Sequence, residues 1–485
     1  KTEEKSIKLK TQNFITEIQK LQLENPDARI ASGINIDCLL EKKAICPRGV
    51  VSGDGERWVK RFWENWANED WHYFQGTVSD SEYYSGRDKI IDWSFKGRGM
   101  LRPGTGNLAL GKKGVNVSLI GKLPVTIYTG ELYDQTTASI IPNNIEELVA
   151  LYLYCSSTEF YKNVREIDQK LNVTPATLIK ISFDLEHWSK VAKVKYPNGL
   201  PKPYSNSPSQ WVFHGYITKS ETPIHVTVAR LLGYRWPAEL DTEMELSNET
   251  REWIKKCDSL LSYADDDGIV CIPSVRGEAT ASDRIQNLLK VAYGNLWNTD
   301  MLPNLLKQVS HAGKNLDSWL RDKFFIQHCK LFHHRPFIWQ IWDGLSDGFS
   351  ALINYHKLDY KLLEILTYNY LGDWISRQKD DLSSGIDGAE EKFAAAENLK
   401  KKLELILEGE APHDIFVRWK PIEKQAVGWN PDLNDGVRLN IRPFMTVGDI
   451  RKKGAGILRD KPNIKWNKDR GKDVPSAPWY HLGPA

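Results

Sequence analysis

Apolar and polar positions follow two different periods along the chain. Val115, Val117 and Leu119 alternate with polar residues, and residues 125–128 follow them across residues 121–124, so the pattern predicts a pair of strands. After Ser247 apolar residues recur every three to four positions, which predicts helices. A β-containing first half and a mainly helical second half together predict an α+β fold.

The clearest helix is predicted at residues 389–408, where apolar positions repeat until Gly409. Residues 144–171 predict a helical pair, with Ser156 and Glu159 at capping-box spacing and Phe160, Val164, Ile167 and Leu171 on one face. The remaining helices of the second half are predicted at residues 249–263, 283–293, 316–332 and 358–376. A strand is predicted at residues 269–272, after a turn at residues 265–268.

These patterns predict four segments in the 485 residues. Residues 1–56 form a helical connector that enters from a missing upstream domain, because the chain begins inside a polar helical pattern. Residues 57–240 form a β-containing domain, residues 241–413 a helical domain and residues 414–485 a basic C-terminal segment with tryptophans.

Composition places the chain among globular proteins. Hydrophobic residues make up 41% and charged residues 26%. No apolar run reaches the roughly 18 residues of a membrane span, and the N-terminus does not resemble a signal peptide. The six cysteines form no Cys-x-x-Cys pair, which indicates reduced thiols and a cytoplasmic protein.

One local excess of positive charge falls on a glycine-rich loop at residues 97–114. Between Arg87 and Lys122 there are 8 Lys+Arg and 2 Asp+Glu, a local charge of +6. The loop lacks the spacing of a dinucleotide-binding or phosphate-binding motif, so it is either a plain surface loop or a loop that contacts DNA phosphates. The candidate DNA contacts are Lys96, Arg98, Arg102, Lys112 and Lys113.

A second excess lies near the C-terminus, where Trp419, Trp429 and Trp466 are interleaved with cations. Residues 420–472 contain 13 Lys+Arg and 6 Asp+Glu, a local charge of +7. Such a stretch can stack on bases and neutralise phosphates, but it can also be a surface loop in which Trp419 and Trp429 are core anchors. The candidate DNA contacts are Arg438, Arg442, Lys465, Lys468 and Arg470.

Other potentially reactive side chains are better explained by structural roles than by catalysis or metal binding. His328, Cys329, His333 and His334 lack a second ligand pair, so structural histidines are predicted instead of zinc ligands. Asp343 and Asp347 could form a catalytic carboxylate pair, but Asp-Gly is common turn chemistry and turns are predicted. A carbohydrate-active protein that uses these two carboxylates and the 18 tryptophans is a further, weaker interpretation.

Several segments resemble the C-terminal part of adenine-specific DNA methyltransferases of the type IIG restriction-modification and PglX-like phage-exclusion kind. They cover most of the chain from about Arg57 onward, and any one of them alone is not specific. They include Arg230-Leu-Leu-Gly-Tyr-Arg-Trp-Pro237, Trp319-Leu-Arg-Asp-Lys-Phe-Phe325, Arg335-Pro-Phe-Ile-Trp339, Asn354-Tyr-His-Lys-Leu-Asp359 and Gly372-Asp-Trp-Ile375.

The resemblance implies a target-recognition domain followed by a helical region. In that family S-adenosylmethionine binds an upstream domain that carries an Asn/Asp-Pro-Pro-aromatic motif. This chain has no Pro-Pro dipeptide, and its pairs Asn25-Pro26 and Asn430-Pro431 lack the aromatic, so this chain alone is predicted to be non-catalytic and to bind neither cofactor nor metal. The expected function is binding of double-stranded DNA and recognition of the target sequence for the missing methyltransferase domain. The alternative is a protein-interaction module of a phage-exclusion complex, without direct base readout.

Overall fold

The computed structural model describes residues 2–11, 18–23, 25–28, 36–104, 108–413, 428–445 and 456–464. In these ranges helices and several small sheets occur together, and the α+β prediction is confirmed. The strands are β1 Ala44–Ile45, β2 Val59–Arg61, β3 Trp71–Gln75, β4 Lys89–Asp92, β5 Gly114–Ser118, β6 Val125–Tyr128, β7 Leu132–Tyr133, β8 Thr137–Pro142, β9 Ile269–Cys271, β10 Ile338–Trp342 and β11 Ser350–Asn354.

The α-helices are spread over the described ranges and dominate the second half. They are Thr2–Thr11, Gln19–Gln22, Gly55–Trp58, Leu148–Cys155, Thr158–Ile167, Pro175–Ile179, Leu185–Lys195, Pro223–Leu231, Pro237–Leu240, Asn248–Asp258, Ala281–Tyr293, Met301–Gln308, Leu316–Trp319, Phe325–Leu331, Tyr360–Ile365, Leu371–Ser383, Ala389–Glu408 and Gly436–Asn440. Single π-turns, Leu320–Phe324 and Leu366–Tyr370, continue two of them.

The chain forms two compact units, and each is built from three segments that are separate in the sequence. The first comprises Lys1–Gly53, Phe74–Gly86 and Lys96–Pro201, and the second comprises Asp54–Tyr73, Arg87–Phe95 and Lys202–Ala485. The boundary expected near residue 241 lies inside the second unit.

In the first unit an antiparallel sheet runs in the order β1-β8-β5-β6, and the predicted strand pair is its β5–β6 edge. Strand alternation gives β5 two different faces. Val115 and Val117 join the apolar core that holds helix Leu148–Cys155. On the other face the side chain of Asn116 donates to Thr137 and Ser139 at 3.1 and 2.9 Å, so the buried amide has partners.

The predicted helical pair is present, with two corrections. The N-cap of the second helix is Ser157, whose Oγ accepts from the Phe160 backbone at 3.1 Å, one residue later than the expected cap. The helix ends at Ile167, so Leu171 lies beyond the apolar face and is exposed. Phe160 and Val164 are buried as expected.

The second unit has a three-stranded sheet inside the region that was predicted to be mainly helical. Its order is β10-β11-β9, both pairs are antiparallel, and its apolar side chains belong to the main core of this unit. Asp343 holds the β10–β11 turn because its carboxylate accepts from the backbone of Leu345 and Phe349 at 3.0 and 2.7 Å. The turn prediction for Asp343 is therefore confirmed, while the two flanking strands were missed.

The helix Ala389–Glu408 has the predicted bounds, and Gly409 ends it with a φ of 71°. Trp429 then donates its backbone N–H to Ile406 at 3.1 Å, so the chain returns to cap this helix end. The Trp429 side chain is buried and donates from Nε1 to the Asn440 carbonyl at 3.0 Å. The interpretation of Trp429 as a core anchor is confirmed.

The segment 230–237 is fixed around a buried ion pair. Arg230 lies 2.7 Å from Glu239, both side chains are almost fully buried, and Arg230 also donates to the Gly215 carbonyl. Burial raises the pKa of Glu239, although Arg230 opposes the shift. A pair this buried stabilises only as a complete unit, because either charge alone would be left without a partner.

Candidate nucleic-acid interface

The first predicted set of cations lies on an exposed loop of the first unit. Lys96, Arg98, Arg102, Lys112 and Lys113 are all exposed. Among the described residues the first four of these make no ion pair with a carboxylate. Their charges are therefore not already neutralised by the protein.

The backbone holds both ends of this loop in place. Arg102 forms a two-way backbone bridge with Val51, at 2.8 and 2.9 Å, and Leu101 donates to the Ser52 carbonyl. At the other end Gly111 donates to the Gly130 carbonyl at 2.8 Å. The loop residues 105–107 lie outside the described ranges.

A buried alanine adds a packing anchor. Ala109 is fully buried with Tyr128, Tyr133 and Ile141, and its carbonyl accepts from the Tyr128 hydroxyl at 3.3 Å. Glycines provide the left-handed backbone that the loop needs, as at Gly104, where φ is 78°. These contacts anchor the main chain on both sides of residues 105–107 and leave the cationic side chains in solvent.

The loop also exposes apolar side chains among its cations. Leu101 is 67% exposed and Leu108 is 57% exposed. Exposed leucines between lysines and arginines suit an extended partner that offers both negative charge and apolar surface. Both a DNA groove and a protein surface fit that description.

The second predicted set of cations does not form an exposed surface in the described part of the chain. Arg438 is only 4% exposed, and its Nη1 lies 2.6 Å from a carboxylate oxygen of Glu56. Arg442 is half-buried and has a partner of its own. Lys465, Lys468 and Arg470 lie outside the described residues, as do Trp419 and Trp466.

The position of Arg438 corrects its assignment as a phosphate contact. A guanidinium that is buried and paired with a carboxylate cannot also reach a phosphate without breaking that pair. Glu56 in addition pairs with Arg335 at 3.2 Å. Burial would raise the pKa of Glu56, but the charges of Arg438 and Arg335 outweigh it, so this pKa is lower than its ordinary value.

The histidines near residue 330 have structural contacts. His328 is buried, and its Nε2 accepts from the Ile338 backbone at 3.1 Å. Burial lowers the pKa of His328 well below its ordinary value, so the ring stays neutral. His334 accepts from the Asn463 backbone at 3.1 Å. In the described ranges no group of three His, Cys, Asp or Glu side chains is arranged to hold a metal ion.

The cysteines and the second carboxylate likewise have ordinary environments. Cys155, Cys257, Cys271 and Cys329 are buried free thiols. Asp347 pairs with Lys392 at 2.8 Å, so its charge takes part in an ion pair at the surface.

Comparison with protein-family models and with curated proteins finds no match to this chain. None of the described helices is both long and apolar enough to cross a membrane.

The sequence is dense in aromatic residues after Arg57, and no site was predicted there. In the structure Trp66, Trp71 and Tyr73 line an open cleft together with Asp241, which is distant in sequence. The density of tryptophan between residues 58 and 71 was the available signal. The pairing with Asp241 could not be foreseen, because it depends on the tertiary fold.

Proposed function

We propose that this chain binds double-stranded DNA and contributes to target-sequence recognition in a site-specific, adenine-specific DNA methyltransferase of restriction-modification or phage defence. The observation that supports DNA binding is the set of five exposed cations on a loop whose described parts are anchored by backbone hydrogen bonds. The methyltransferase context rests on the resemblance of the sequence segments described above.

In this proposal the loop positions the duplex. Lys and Arg side chains contact phosphates and displace counterions, which gives affinity that depends on salt but not on sequence. The exposed Leu101 and Leu108 add contacts to sugars or base edges. Because the ends of the loop are anchored, the register of the contacts is set by the protein rather than by loop motion.

Methyl transfer belongs to another domain in this proposal. The pair Asn430-Pro431 is followed by Asp432 and not by a second proline and an aromatic, so this sequence lacks the motif that the resemblance implies for methyl transfer. In this proposal S-adenosylmethionine is bound by the upstream domain that carries the motif.

Fluorescence anisotropy with a labelled duplex at low salt tests the binding proposal. The test variant replaces Lys96, Arg98, Arg102, Lys112 and Lys113 by Gln. The matched control replaces Lys162, Lys170, Lys190, Lys193 and Lys195, which are exposed lysines of the same unit. We expect a loss of at least tenfold in affinity for the loop variant and a small change for the control. Equal affinities of the two variants would contradict the proposal.

The interaction-module alternative is favoured by one observation, the exposed leucines of the same loop. If a protein partner of the phage-exclusion complex is the ligand, Leu101→Ser and Leu108→Ser abolish its capture while the five-Gln variant keeps it. Under the DNA proposal the five-Gln variant has the larger effect on duplex binding. Charge reversal at Arg438 does not discriminate between the two functions, because it would break the ion pair of this buried arginine with Glu56.

A further inference from the structure

An open cleft in the second unit has the features of a ligand site. Its volume is about 550 Å³, which lies in the range of pockets for small organic ligands. Residues of the segment 62–73 provide most of its lining, including Phe62, Trp66, Trp71 and Tyr73, and residues 237–241 provide the rest.

Three rings of the cleft are held in place by neighbours. Trp71 donates from Nε1 to the Asn434 side-chain oxygen at 2.9 Å. Tyr73 stacks on Trp211 with ring centroids 4.3 Å apart and planes 14° apart. The Trp66 ring lies 4.7 Å from the ring of His356 and is still 38% exposed. Rings fixed in this way bind a ligand without a large ordering cost.

The cleft has a small number of polar groups beside these rings. Asp241 is exposed, and one of its carboxylate oxygens accepts from the Glu243 backbone at 2.9 Å. Burial raises the pKa of Tyr73, and the nearby charge of Asp241 adds to the shift. The side-chain oxygen of Asn68 accepts from Asp70 and Trp71, so its amide nitrogen is left as a donor among the described residues.

We propose that this cleft binds an unpaired nucleobase that carries an exocyclic amino group. Its ring stacks on Trp66, and its amino group donates a hydrogen bond to the carboxylate of Asp241. A planar base has two apolar faces and a polar edge, which suits aromatic walls with few polar groups. A sugar carries hydroxyls around its ring and would need more hydrogen-bonding partners than Asn68, His72 and Asp241 provide. A methylated ammonium group would fill only a small part of about 550 Å³.

This site is an extension of the proposed DNA function, but it is a separate site in a different unit from the cationic loop. The cleft is proposed to bind unpaired bases, whereas the loop is proposed to contact phosphates. Free nucleosides therefore probe the cleft without any contribution from the loop, and the two proposals can fail independently.

Saturation-transfer NMR and calorimetry with adenosine, cytidine, uridine, ribose and tetramethylammonium test the proposal. We expect adenosine and cytidine to bind more tightly than uridine, and ribose and tetramethylammonium to show no saturable binding. Trp66→Ala should weaken adenosine binding about tenfold or more, whereas Trp66→Phe should retain most of it. Asp241→Asn should remove the preference for cytidine over uridine.

Tyr360→Ala is the matched control, because Tyr360 is an exposed aromatic of the same unit that does not line the cleft. It should bind adenosine like the unaltered chain, as should the five-Gln loop variant. Saturable binding of ribose or tetramethylammonium at the affinity of adenosine would overturn the proposal. So would unchanged adenosine affinity in Trp66→Ala. Duplex binding without adenosine binding would remove this proposal alone.

Discussion

At the scale of single residues, the formal charge of a side chain did not indicate where it lies. Lys96 and Arg438 both belong to basic stretches, yet Lys96 is exposed and Arg438 is buried against Glu56. The difference arises because Arg438 is on the short helix Gly436–Asn440, which packs into the core through Val437. A count of Lys and Arg detects neither the helix nor the carboxylate.

The pair with Glu56 gives a pH-dependent prediction. The pKa of Glu56 is lower in the folded chain than its ordinary value of 4.5, so its stabilising effect is full above that value and is lost as the pH falls below it. Glu56→Gln should lower the free energy of unfolding by about 1 kcal/mol at pH 7, since the carboxylate is partly exposed and screened. Urea titrations at several pH values measure this difference.

The difference between the unaltered chain and Glu56→Gln should shrink as the pH is lowered through the acidic range. Glu69→Gln, at an exposed glutamate of the same segment, serves as the control and should change the free energy of unfolding little. A difference that stays constant from pH 7 to the acid limit of the folded state would contradict the ion-pair assignment.

At the scale of elements, local sequence patterns predicted helices better than they predicted buried strands. The helix Ala389–Glu408 was predicted with its bounds because a long apolar period ends at a glycine. The strands β10 and β11 were missed because Ile338–Trp342 and Ser350–Asn354 are short and almost entirely buried, so they lack the alternation of a half-exposed strand. In a short apolar run, the spacing of apolar residues alone cannot distinguish a buried strand from a buried helix.

The segment 428–445 is an element of the core, and Trp429 gives the test. Its ring packs against Phe444, with centroids 5.0 Å apart, and against Trp339. Trp429→Ala should reduce the free energy of unfolding by about 3–5 kcal/mol, because it leaves a cavity in a packed core. Tyr368→Ala, at a tyrosine that is 49% exposed, should change it little. Equal urea midpoints for the two variants would show that the segment is peripheral.

The anchored loop gives a second test at this scale. A Cβ at Gly104 would lie 2.6 Å from the Gly49 carbonyl oxygen, and φ at Gly104 is 78°. Gly104→Ala should therefore displace the loop and weaken duplex binding severalfold, although no charge changes. Gly121→Ala is the matched control because φ there is 70° and a Cβ meets open space. Anisotropy titrations of both variants decide whether the backbone anchor matters for binding.

At the scale of the whole molecule, the sequence was sufficient for the α+β class but not for the arrangement of the units. Segments Asp54–Tyr73 and Arg87–Phe95 join the second unit although they precede most of the first. A division of the chain into contiguous domains cannot predict this interleaving of segments, because the interleaving depends on contacts between residues far apart in sequence. The cations of the loop could be grouped from the sequence because they are neighbours along the chain. The cleft of Trp66 and Asp241 could not be predicted, because its residues are far apart in sequence.

The most direct test of the central claim is the salt dependence of duplex binding by the unaltered chain and by the five-Gln loop variant. If the five loop cations contact phosphates, the slope of log affinity against log salt concentration becomes less negative by about 4 to 5 in the variant, since each contact contributes about 0.9. The lysine control on residues 162, 170, 190, 193 and 195 should keep the original slope. Identical slopes for all three proteins, or no duplex binding by the unaltered chain at low salt, would contradict the account.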